Sequence, residues 1–211
     1  MWRGALSLTD ALGRLFPHRA QLLDLVSPTP GQTLSGPAVT IRFVPYRADR
    51  FDAATHNFAR LSYEAIGSDP AGKVLVLDSS GYRDTSMGGG TKLSRVQNHD
   101  LAGLITDGRL RDFRELAALD PVFYCRGEAV QAGTVTVMPV AANVPVVLGG
   151  VTILPGDYIY SDGAGAVVLP ESHFDQIVVA AVEIEAEDSR FLEAIRNEDR
   201  AEIARSGSSE T

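Results

Sequence analysis

"MGGGTKLSRVQNHDLAGLITDGRLRDF", Met87 to Phe113, is the stretch that decides the fold. Leu93, Val96 and Leu101 recur on one helical face, and the brief apolar run Ala102–Thr106 behind them reads as a strand. The preceding KVLVLD, Lys73 to Asp78, is rich in β-branched and aliphatic residues and reads as another strand. Together they predict a strand, loop, helix, strand order, the repeating unit of an α/β sheet. Gly88, Gly89 and Gly90 then fall at the N-terminus of the helix, and Arg111-Asp112 begins the turn after the second strand.

The same periods organise the rest of the chain. Leu8, Leu12 and Phe16 predict a short helix over Ser7–Phe16 with Ser7 or Thr9 as N-cap. Gly36–Phe43 (GPAVTIRF) predicts a strand, and Asp52–Ile66 a helical stretch. A second short helix is expected over Phe113–Leu119. From Pro121 onward, PVFYCRG, TVTVMP, VPVVLGG, VTILPGDYIYSD and GAVVLP are short strands broken by turn residues such as Pro155-Gly156-Asp157 and Asp162-Gly163. Phe174, Ile177, Val178, Ala181, Ile184 and Phe191 predict a long amphipathic helix, with Glu183, Glu187, Arg190 and Arg196 on its polar face. The 211 residues, 45% hydrophobic, suffice for one sizeable core. A single domain over residues 1–205 is expected, followed by a disordered SGSSET tail, 206–211.

Charge narrows the partners. Acidic side chains outnumber basic ones 27 to 19, for a net charge of -8, and no Lys/Arg block tracks a phosphate backbone, which speaks against nucleic acid. No apolar run approaches the roughly 20 residues that span a bilayer, and the N-terminus turns polar too early for a signal peptide. A lone cysteine, Cys125, has no internal disulfide partner, and its apolar strand makes it buried and inert. These features predict a cytoplasmic protein without a membrane partner.

The chemistry concentrates around the glycines. A side-chain-free loop entering a helix presents N–H groups and the positive dipole end together, which suits a carboxylate or phosphate. ATP and NAD are disfavoured, because no Gly-Lys-Ser/Thr follows the glycines and the spaced third glycine of a dinucleotide fingerprint is missing. Arg111 suits a planar carboxylate through its fork, and Asp112 with waters suits Mg²⁺ or Mn²⁺. An exposed Arg-Asp pair can equally be solvated surface charge. Asp107 competes for the metal, although its place before Gly108 favours turn formation. Lys92, read as a loop lysine without a desolvating pocket, suits a cation for the distal carboxylate of a substrate better than an imine-forming amine. The histidines show no metal-ligand spacing; only His56, ahead of the strand that feeds the loop, merits attention.

GPAVT at Gly36–Thr40, KVLVLD, the Gly-rich loop, TDGRLRD at Thr106–Asp112 and PGDYIYSDGAGAVVLP at Pro155–Pro170 resemble, in order, the family containing 4-hydroxy-4-methyl-2-oxoglutarate aldolase and the regulator of ribonuclease activity A. The resemblance spans Leu8 to Phe191. It implies an α/β fold of the swivelling β/β/α (RraA-like) type with a C-terminal amphipathic helix, assembled as homotrimers or dimers of trimers with sites between subunits. In the aldolase branch it implies substrate binding by Arg111, Mg²⁺ or Mn²⁺ on Asp112, and backbone binding of a pyruvyl carboxylate by Gly89, Gly90, Thr91 and Lys92. It also implies a catalytic acid from a neighbour's C-terminal helix, for which Asp188 or Glu187 is the match. The chain departs from the family pattern at Gly90, where an acidic residue is usual, and at Lys92, where an apolar or small one is. The implied function is a metal-dependent lyase, a class II aldolase or decarboxylase of a small 2-oxo acid. A non-catalytic regulator that binds a protein partner is the alternative, as is a specialised-metabolism enzyme with a changed substrate.

Overall fold

The computed structural model describes residues 4–200. In chain order they form α1 (Ala5–Leu15), β1 (Gln21–Leu22), β2 (Leu34–Pro45), α2 (Phe58–Ile66), β3 (Val74–Asp78), α3 (Gly90–Asn98), β4 (Gly103–Thr106), α4 (Phe113–Leu116), β5 (Val122–Tyr124), β6 (Val137–Ala142), β7 (Val146–Leu148), β8 (Val151–Ile153), β9 (Tyr158–Asp162), β10 (Gly165–Leu169) and α5 (Phe174–Arg196). The long strand β2 joins two kinds of sheet. Its first residues pair antiparallel with β9, while Ala38–Arg42 run parallel to β3, which continues in parallel to β4 and β5. Its other edge, over Ile41–Pro45, pairs antiparallel with β6, with a register shift between Arg42 and Phe43.

Three apolar clusters define the layers. Helices α2 and α3 pack on one face of the parallel strands through Leu61, Leu93 and Val96 against Ile41, Leu75 and Leu77. The β7–β8 hairpin covers the other face, where Val146, Leu148, Val151 and Ile153 meet Val74, Val76 and Ile105. The strands β3 and β4 are therefore buried on both sides, which accounts for their nearly unbroken aliphatic composition. This is a mixed α/β domain in β/β/α layers. Helix α5 lies outside those layers and packs on α1 and β10 through Ile177, Ala181 and Ile184.

Several expectations shift. Helix α1 is capped at Gly4 with no side-chain cap of its own; its first amide, Ala5 N, donates instead to Asp162 Oδ2 at 3.0 Å. Neither Ser7 nor Thr9 caps it, because a carboxylate distant in sequence reaches the helix start. Residues 52–57 form turns held by Asp52, and the helix expected from Asp52 begins at Phe58, capped by the Asn57 side chain. The strand expected over TVTVMP starts later, at Val137, since its partner β2 offers a free edge only from there. Helix α4 ends at Leu116, three residues short of Leu119. The predicted tail, 206–211, lies outside the described residues. No described helix is long and apolar enough to cross a membrane.

Candidate functional site

The residues preceding the α3 N-terminus are aligned by a short parallel ladder. Arg109 N donates to Thr85 O, Met87 N to Arg109 O and Arg111 N to Gly88 O, at 2.8 to 2.9 Å. This clasp sets Arg111 and Asp112 directly against the glycine loop. Asp112 adopts a left-handed backbone, φ 61° and ψ 45°, a conformation that aspartate tolerates better than most residues. Its Oδ2 accepts the N–H of Gly90 at 3.1 Å.

The glycines are needed for space more than for backbone freedom. Gly89 is extended, at φ -145°, and any residue can adopt that. A Cβ there would come within 2.3 Å of Asp112 Oδ2, and one on Gly90 within 2.1 Å of Glu115 Oε2. Two carboxylates thus occupy the volume that side chains would fill. The anion-loop expectation changes in one respect, because Asp112 already occupies the Gly90 amide. The next amides, Thr91 and Lys92, lie in the first helical turn, where the helix itself supplies no acceptor.

A cleft of about 710 Å³ opens here, lined by Gly88, Gly89, Thr91, Lys92, Arg111 and Asp112. Sequence reasoning missed much of its wall: Phe43, Phe51 and Phe58 from the β2 and α2 region, Arg95 from α3, and Val137, Met138 and Pro139 from β6. Arg95 was within reach of that reasoning, since it stands one helical turn beyond Lys92. The β6 residues carry no such local signal. His56 does line the cleft, with its Nδ1 accepting the Asp52 amide at 3.0 Å.

Lys92 departs from expectation. It belongs to α3 and not to a loop, its Nζ lies 4.4 Å from the centre of the Phe58 ring, and burial pushes its pKa down, helped by the neighbouring Arg95. The desolvated setting that the sequence did not disclose is therefore present. It arises because α2, distant in the chain, packs its first residue against the first turn of α3.

Asp107 does not reach the cleft wall. It is buried, with Oδ1 accepting Ser79 N at 3.0 Å and Oδ2 accepting Gly149 N at 3.1 Å. Asp188 and Glu187 sit on α5, away from the cleft of their own chain, and Glu187 pairs with Arg14 of α1 at 2.8 Å. Among the described residues no three His, Cys, Asp or Glu side chains gather into a metal-holding group. Cys125 is buried, and desolvation pushes its thiol up to about 11, as its apolar strand suggested.

With this geometry in place, likeness to known proteins is informative. Residues 6–168 match the RraA-like family described as Aldolase/RraA. A protein of Halalkalibacterium halodurans named "Putative 4-hydroxy-4-methyl-2-oxoglutarate aldolase" is 32% identical over 162 residues, covering 76% of this chain and 70% of the relative. Protein DlpA of Legionella pneumophila is 27% identical over 184 residues, which cover 87% of this chain; this chain spans only 29% of that relative's length. Among solved structures, an uncharacterized protein of Pseudomonas syringae pv. tomato has a TM-score of 0.77 at 28% identity, covering 96% of this chain and 89% of the other. RraAS2 of Streptomyces coelicolor, described as an unusual member of the RNase ES inhibitor RraA family, has a TM-score of 0.76 at 29% identity, covering 88% and 89%.

Proposed function

The chain belongs to the Aldolase/RraA family, and on that premise we propose that it is a divalent-metal-dependent carbon–carbon lyase acting on a small 2-oxo acid through a pyruvate-type enolate. The observation that carries this reading is the clasp of Arg111 and Asp112 onto the N-terminus of α3, in the wall of one cleft. Asp112 presents a carboxylate there whose Oδ2 is engaged by Gly90, while Oδ1 makes no hydrogen bond among the described residues. One carboxylate oxygen with room for waters is a donor set that fits Mg²⁺ or Mn²⁺. When bound, the ion supplies Lewis-acid polarisation of the substrate carbonyl.

The protein's own groups do the rest. The Thr91 and Lys92 amides, at the positive end of the α3 dipole, hold the 2-oxo acid carboxylate. Arg111 donates to the keto oxygen and gains strength as negative charge develops on it during cleavage. Retro-aldol cleavage and β-decarboxylation both leave the same enolate, so one site serves both. Asp112, held by the Gly90 amide, keeps a single orientation throughout. Asp188 can serve as a proton-transferring acid only from a second copy of the chain, which ties full activity to a homotrimer or a dimer of trimers. Neither nucleic acid nor a membrane takes part, and the setting is cytoplasmic.

The test is pyruvate release from oxaloacetate and a set of 4-hydroxy-2-oxo acids, with Mg²⁺ and after chelation, alongside light scattering. We expect turnover that requires the ion and a trimeric or hexameric mass. Likeness to an RNase ES inhibitor relative supports a second reading, a regulator that binds a protein partner. No pyruvate from any substrate, with metal present, would discard the lyase in its favour.

A further inference from the structure

Lys92 and Arg95 stand one turn apart on α3, and both line the cleft. The setting of Lys92 disfavours a cation on three counts. Burial lowers its pKa, the adjacent guanidinium lowers it further, and its place in the first turn exposes it to the positive end of the helix dipole. The Phe58 face, 4.4 Å from Nζ, offsets only part of this. Among the described residues neither side chain forms an ion pair.

Arg95 is also incompletely satisfied. Its Nη1 donates to the Lys92 carbonyl at 3.0 Å, while its Nε is buried without a partner among the described residues. A buried N–H left unpaired is costly, so its persistence points to an acceptor that arrives from outside. Among the described residues the one carboxylate in the cleft wall is Asp112, and it pairs with neither Lys92 nor Arg95. Two neighbouring cations without a counter-ion among the described residues, one with an orphaned donor, call for an anion that those residues do not provide.

We infer that Lys92 and Arg95 form a receptor for a second, non-reacting oxyanion of the substrate, a carboxylate or a phosphate borne at the far end of the molecule. The inference rests on the 2-oxo acid reading for the near end, where Arg111 and the loop amides act. Phe58, Val137 and Met138, lining the same cleft, suit an apolar spacer between the two anionic ends. Lys92 and Arg95 are then specificity-determining residues: they choose the distal group and leave bond cleavage to Arg111 and Asp112.

The experiment compares binding of 2-oxoglutarate, 2-oxo-4-phosphonobutanoate and 2-oxopentanoate to the intact protein by calorimetry. We expect at least one dianion to bind at least tenfold tighter than 2-oxopentanoate, and the tighter of the two identifies the distal group. Lys92→Met and Arg95→Met should each cut that preference severalfold, and Lys92→Arg should restore most of it, which loss of packing alone would not do. A preference near one in the wild type, or one that survives both methionine variants, overturns the receptor. If none of the three binds, the 2-oxo acid reading fails separately, and inorganic phosphate becomes the deciding probe. Phosphate should then raise the wild-type Tm and leave the Lys92→Met/Arg95→Met double variant unmoved; an equal shift in both overturns the receptor on its own.

Discussion

Asp107 and Asp112 lie in one short connection between β4 and α4, yet the fold treats them in opposite ways. Asp107 is buried and spends both oxygens on distant backbone amides, tying the end of β3 at Ser79 to the β7–β8 turn at Gly149. Asp112 is half-buried, bends its backbone into the left-handed region and keeps one oxygen for the cleft. Two carboxylates of the same type become a brace and a cleft-lining group. The difference lies in which amides the surrounding loops bring to each: both Asp107 oxygens accept a backbone N–H in a buried setting, while Asp112 Oδ1 accepts none among the described residues. It also teaches why Asp107 could compete for the metal in sequence and not in space.

The largest effect should come from Asp112→Asn. Asparagine tolerates the left-handed backbone and can still accept the Gly90 N–H, so the fold should hold while the charge is lost. We expect kcat to fall by about 1,000-fold, roughly 4 kcal/mol, with Tm unchanged in a thermal melt. A large drop in Tm would show that Asp112 is a second brace and erase the contrast.

Asp107→Ala should do the reverse. It leaves two amides without acceptors and should cost about 2–4 kcal/mol of stability, read as a lower midpoint in chemical denaturation. Folded Asp107→Ala protein at low temperature should retain metal affinity; loss of metal binding there would move Asp107 into the site.

Arg111→Lys probes the site half more gently. A point-charge ammonium cannot reproduce the guanidinium fork at the enolate oxygen, so kcat should fall by about 10- to 100-fold, more than KM rises. Steady-state kinetics that show only a raised KM would reduce Arg111 to a ground-state anchor.

The smallest effect tests the brace half. Asp78 is buried near Asp107, and desolvation, with the Asp107 charge adding to it, raises its pKa above the ordinary carboxylate value. A raised native pKa means the folded protein holds this proton through a pH range where the unfolded chain has lost it. Stability therefore falls as pH rises from the unfolded value through the native one, then levels off. Asp78→Asn, which can still accept the Ser80 amide, should raise Tm modestly at neutral pH, and the gain should shrink as acid protonates wild-type Asp78. A gain independent of pH would exclude desolvation as its cause.

Much of the molecule was legible in the sequence because its signals are local. The aliphatic runs at Val74–Asp78 and Gly103–Thr106, the helical period from Leu93 and the long amphipathic face from Phe174 each report what one element buries, and burial sets the spacing. The pairing of a glycine loop with Arg111-Asp112 was legible too, since glycines beside a carboxylate keep their sense wherever the loop runs. What the sequence could not contain were contacts closed by chain segments far apart. The cap of α1 comes from Asp162, the desolvation of Lys92 from Phe58, and the far wall of the cleft from Val137, Met138 and Pro139. Residue type and spacing determined which groups could do chemistry. Only tertiary packing decided which amides each carboxylate meets and how dry each cation is, because hydrogen bonding and desolvation depend on neighbours in space and not on neighbours in the chain.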